Sequence, residues 1–178
     1  MPNHVRTIVK LSKLKDPQVI LNLVAARSTD PDDPGSEEEW VMDFNKIIPE
    51  PRTIEECPDD YIIESAKEAH IQEDEERPWF DWYRWHRDYW GVKWPPYDGY
   101  SIIGKSYIEF VFSTPWNLAY PVIHKLDLLG CNIDVKYADE DTGHNCGKLS
   151  YTPEQDWTYE DESTLKDPIR FANRVWER

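Results

Sequence analysis

The sequence predicts an α+β sandwich built on a split βαβ sheet, and three observations carry that prediction. Runs of alternating apolar residues occur at both ends of the chain, each followed by a helix-like stretch. Two Asp-Pro pairs and one internal Pro stand where helices would begin. A middle stretch of different composition, rich in Trp and Tyr, separates the two halves.

Val5 to Leu11 alternates with Val5, Thr7, Val9 and Leu11 on one face, which marks a first strand. Asp16-Pro17 reads as N-cap and first turn of a helix over 16–27, with Ile20, Leu23 and Val24 as its apolar stripe. After an acidic, Pro/Gly-containing loop over 29–39, residues 40–45 alternate again and are expected to form a second strand. Residues 58–70 and 78–89 are expected to be helical, the latter with Trp79, Trp82, His86 and Tyr89 along one stripe. Gly91 closes that helix, and 94–99 reads as a Pro/Gly loop. Residues 107–112 form a third strand, with Ile108, Phe110 and Phe112 on its richer face. Val122, Ile123, Leu126 and Leu129 keep helical spacing within 118–129 until Gly130. Residues 131–137 give the clearest alternation in the chain and 148–152 a fifth strand, after which Asp167-Pro168 starts a terminal helix over 167–177.

The expected organisation is one domain over 1–178, with an insertion over 49–104 between strands two and three. Right-handed crossovers turn the two strand–helix–strand units into a five-stranded, mainly antiparallel sheet of order 5-4-1-3-2, with the helices on one face. The other face of such a sheet needs a cover. The aromatic insertion is expected to fold back over part of it, burying Trp82 and Trp90.

Composition limits the function. Asp+Glu number 35 against Lys+Arg 20, for a net charge of −15. That field disfavours nucleic acids and anionic membranes as direct ligands. It leaves open cationic partners or mimicry of a nucleic acid's own charge. Cys57, Cys131 and Cys146 are odd in number and irregular in spacing, which argues for free thiols and a cytoplasmic location. No apolar run approaches the roughly 18 residues of a membrane span.

Several strings, taken together and in order, carry a resemblance: Asp43-Phe44-Asn45-Lys46-Ile47-Ile48-Pro49, Trp90-Gly91-Val92-Lys93-Trp94, Phe112-Ser113-Thr114-Pro115-Trp116, Pro121-Val122-Ile123 and Tyr137-Ala138-Asp139-Glu140. They resemble a family of plasmid- and phage-borne proteins with a YubB-like ferredoxin-fold domain. The likeness covers residues 40–152. Members are expected to read Asn-Trp-Gly-Thr-Lys-Trp, where this chain has Tyr89 and Val92 in place of the Asn and Thr. The resemblance implies a ferredoxin-like fold and brings no activity, cofactor or catalytic residue with it. The name describes a shape only, since the chain has no Cys set for an iron–sulfur centre.

No catalytic, metal or cofactor signature stands out. His144 and Cys146 lack the second pair that a zinc site needs, and a polar hairpin turn accounts for them. An RNA-recognition motif shares the topology, but its third strand should carry stacking aromatics. Here Ser106 takes a Gly position and Glu109 an aromatic one. The expected function is a non-enzymatic binding or protein-interaction module of a mobile genetic element, with a protein partner and no cofactor. The alternatives are an acidic nucleic-acid mimic that blocks a DNA-binding host protein, and an enzyme with its site between insertion and sheet. A binding cleft is expected where those two meet, near Trp94, Tyr97, Tyr107 and Glu109.

Overall fold

A computed structural model describes residues 3–28, 39–63, 77 and 79–176. The strands are β1 (His4–Ser12), β2 (Ala25–Arg27), β3 (Trp40–Met42), β4 (Tyr97–Ile103), β5 (Tyr107–Pro115), β6 (Asn132–Asp139), β7 (Cys146–Thr152) and β8 (Gln155–Asp161). The helices are α1 (Pro17–Val24), α2 (Phe44–Ile47), α3 (Trp82–Trp85), α4 (Tyr120–Lys125) and α5 (Pro168–Val175). α3 runs on as a π-helical turn, His86–Trp90, and α4 as a 3-10 turn, Leu126–Leu129.

The alternation in β1 does what its period dictates. Val5, Thr7, Val9 and Leu11 are fully buried. Their register sets them beside Thr114, Phe112, Phe110 and Ile108 of β5, and beside Asp139, Tyr137, Val135 and Ile133 of β6. This shared face packs against Leu21 and Val24 of α1, Phe44 of α2, and Val122, Ile123 and Leu126 of the α4 segment. Asp16 caps α1 by accepting the Gln18 N–H at 2.9 Å. The main sheet has order β4-β5-β1-β6-β7-β8 with every neighbour antiparallel, and the fold is α+β and ferredoxin-like.

The central order, β5-β1-β6-β7, is the expected one. The edge strand beside β5 is not. That place, assigned from sequence to residues 40–45, belongs to β4 from the middle segment. Only Trp40–Met42 is extended, and it pairs with Ala25–Arg27 in a separate two-stranded ribbon. Pairing with β3 stops α1 at Val24 rather than 27, and Asp43 caps α2 through the Asn45 N–H. β8 adds a sixth strand that the five-strand expectation lacked. The proposed helix over 58–70 is a 3-10 turn at Asp59–Tyr61 followed by a bridge from Ile62 to Phe80; residues 64–70 lie outside the described residues.

The aromatic segment packs differently from the expectation. The Gly91 N–H donates to His86 five residues back, so the turn is wound to π spacing. That winding puts Trp85 and Trp90, five apart, on the buried side. Trp82, expected inside, is 45% exposed. Gly91 takes φ +78°, and a Cβ there would lie 2.8 Å from Pro121 Cδ, so the turn and α4 meet at a glycine.

The segment also lies on the helix side of the sheet, where Trp90 and Phe112 both meet Phe44 edge-on. The rings from Trp79 to Trp90 pack on that side, while on the opposite face Tyr97 reaches His4 and Tyr100 lies under Arg6. α5 covers one end of that face, closing Ala172 and Val175 over Ala138 and Cys146 with Ile8 alongside. Small apolar residues at that end leave room for a helix, and the Trp176 indole fixes it by donating to the Ala138 and Asp139 carbonyls, both at 3.0 Å.

Candidate functional site

A buried polar clasp holds the middle segment in place. Glu50, just after α2, accepts from His86 Nε2 and from the Arg77 guanidinium. His86 Nδ1 faces the Lys93 carbonyl at 2.7 Å, and its ring stacks on Trp90 with centroids 4.1 Å apart. An oxygen acceptor thus faces each of the two ring nitrogens of His86. Burial pushes the Glu50 carboxyl up, but the bonds from His86 and Arg77 outweigh it and hold the group below its ordinary 4.5. Trp90 Nε1 donates to the Ile48 carbonyl at 2.9 Å. These contacts fix where the chain leaves the π turn and hence where β4 starts.

Two features follow from that placement. The first is a cleft of about 630 Å³ between the β2–β3 ribbon and the start of β4. Val41, Met42, Phe44 and Phe112 supply its apolar side, while Arg27, Asp43, Tyr97 and Asp98 bring polar groups. Arg27 lies over the Trp40 ring at 4.5 Å, and Asp43 is occupied in capping α2. The side chains at its wall offer hydrogen bonds and apolar contact.

The second feature is the outer edge of β4. Among the described residues no strand pairs with it. The Gly104 N–H donates to the Tyr107 carbonyl at 2.9 Å, so residues 104 and 107 form a hydrogen-bonded pair. Antiparallel alternation then directs Ile102 and Tyr100 toward β5 and turns the N–H and C=O of Ser101 and Ile103 outward. Flanking them, Ile102 on the open face and Ile103 on the helix face are 46% and 49% exposed. From Gly99 to Ile103 there is neither charge nor proline. The other edge, β8, is guarded by Asp156, Glu160 and Asp161, and its pairing slips near Ser150.

The four residues expected at a cleft do not converge. Tyr97 lines it, and its hydroxyl meets His4 Nδ1; burial, then Asp98 and Glu140, push that hydroxyl up to about 12. Trp94 sits before β4 under the Lys93 ammonium at 4.8 Å. Tyr107 and Glu109 lie at the far end of the β4–β5 hairpin, facing Ser12 and Lys10 on the open face. Six residues along β5 separate Ser113, the partner of Tyr97, from Tyr107, roughly 20 Å of strand. The edge residues Ser101, Ile102 and Ile103 were not among those singled out from the sequence. The signal was present: a Tyr-Ser-Ile-Ile run directly before a strand, with a short Gly-containing gap between.

Residues 89–169, somewhat under half of the chain, match a family model described as the ferredoxin-like domain in Api92-like protein. The match spans β4 to β8 and enters α5, while the central strand β1 comes from outside it. No curated protein and no solved structure matches the chain. Among the described residues, no helix is long and apolar enough to cross a membrane.

Proposed function

We propose that this chain is a binding module that takes up an extended segment of a protein partner along the outer edge of β4, which no strand among the described residues pairs. The observation that carries the reading is the edge itself. Ser101 and Ile103 offer outward N–H and C=O groups, with the Ile102 and Ile103 side chains exposed beside them, on the stretch past the Asp98 bulge that carries neither charge nor proline. A strand added there would gain main-chain hydrogen bonds, and its alternating side chains would cover Ile102 on one face and Ile103 on the other. The cleft beside Tyr97 lies at the start of the same strand and would receive the segment's end. The likeness of residues 40–152 to YubB-like proteins of plasmids and phages supports a role in a mobile genetic element.

The test uses Ser101→Pro, which removes an outward N–H without touching the ladder to β5, together with Ile103→Lys. The full chain is used to capture partners from its own cell, and the captured proteins are identified. A partner held by the unaltered chain should be lost by both variants while their melting temperatures stay within a few degrees. Equal capture by Ser101→Pro would rule out strand addition.

A further inference from the structure

In a chain with 35 acidic and 20 basic residues, several cations nevertheless gather on the open face of the sheet beside α5. Lys136 of β6 stands directly opposite Lys148 of β7. Like charges facing each other across a ladder weaken a sheet, so folding alone gives no reason for the pair. Lys148 is relieved by Glu160 at 2.7 Å, whereas exposed Lys136 makes no ion pair among the described residues. α5 adds Arg170 and Arg174, four apart and exposed, and Lys166 precedes it. These three also make no ion pair among the described residues.

Together with Lys148 they line a groove of about 590 Å³ in which Leu165 and Phe171 are apolar. The two carboxylates there are occupied. Glu160 holds Lys148, and Asp167 caps α5 by accepting the Arg170 N–H at 3.0 Å. Among the described residues Lys136, Lys166, Arg170 and Arg174 are therefore left without an ion-pair partner, while both carboxylates are engaged.

We infer that this groove docks an acidic segment of a partner protein, its carboxylates meeting Lys166, Arg170 and Arg174, with Lys136 beside Lys148 adding positive charge at the margin, and its apolar side chains meeting Leu165 and Phe171. The net charge of −15 repels a long polyphosphate, whose many charges meet that field along its whole length. A few carboxylates interleaved with apolar side chains match both the basic and the apolar lining. The site is independent of the β4 edge. Five strand spacings, roughly 24 Å, separate the two edges of the sheet, so both sites are open to partners at once.

The test is fluorescence polarisation on the full chain with a short labelled peptide of alternating Glu and Leu. Its Gln–Leu counterpart and a labelled single-stranded oligodeoxynucleotide serve as competing probes. The Glu–Leu peptide should bind best and weaken with added salt. The double variant Arg170→Glu/Arg174→Glu should weaken it about tenfold or more, and Ser101→Pro should leave it unchanged. Lys136→Glu gives a signature that a structural role would not: a higher melting temperature, from an ion pair with Lys148, together with weaker peptide binding. The inference is overturned if the Glu–Leu peptide fails to bind, if either competing probe binds as tightly, or if the Arg variants bind it unchanged.

Discussion

Replacing Trp90 by Ala should be among the most costly single changes in the middle segment. Trp90 is fully buried, meets Phe44 and Trp85 edge-on, stacks on His86 and donates to the Ile48 carbonyl. Deleting a buried ring of this size costs about 3–5 kcal/mol through lost transfer energy and the cavity left behind. For a chain of this length that lowers Tm by roughly 6–20 °C. Trp82, at 45% exposure, loses about half the area and leaves no closed cavity. Its Ala variant should cost about 1–2 kcal/mol. Trp90→Phe should fall between the two, since it keeps a ring but leaves the Ile48 carbonyl without its donor. Urea unfolding followed by circular dichroism measures all three. Equal losses at Trp82 and Trp90, or a larger loss at Trp82, would refute the π-turn packing on which this ordering rests.

Gly91→Ala should destabilise by about 1–3 kcal/mol, because the site has φ +78° and the new Cβ would press on Pro121; thermal melts against the unaltered chain check this. Glu50 makes stability fall at acid pH. Its folded carboxyl lies below the ordinary 4.5, so its contribution is fully present above that value and is lost as pH falls through the lowered one. In Glu50→Gln that part of the acid dependence should disappear, and a midpoint-versus-pH curve unchanged by the substitution would contradict the clasp.

Much of the sheet was legible in the sequence, and the reason is period. β1 and β6 each bury one face under helices, so apolar residues alternate cleanly and fix both strand and register. The edge strands were harder to read because an edge strand is only partly covered. β4 exposes Ile102 and Ile103 and begins with a bulge at Asp98, φ +49°, so its Pro/Gly-rich start reads as loop. β8 is polar along most of its length and carries no core alternation. In the aromatic segment the error was one of winding: α spacing groups Trp79, Trp82, His86 and Tyr89, whereas the π turn groups Trp85 with Trp90. The candidate site suffered from the same weakness, since its useful groups are the backbone N–H and C=O of β4, which no side-chain pattern announces.

Amide hydrogen exchange at residues 100–103 tests the β4 edge most directly. In the free chain Tyr100 and Ile102, bonded to β5, should exchange slowly, while Ser101 and Ile103 exchange fast. With a captured partner bound, Ser101 and Ile103 should slow to the rate of their neighbours. Slow exchange at all four positions in the free chain, or unchanged fast exchange at Ser101 and Ile103 in the complex, would contradict the strand-addition account.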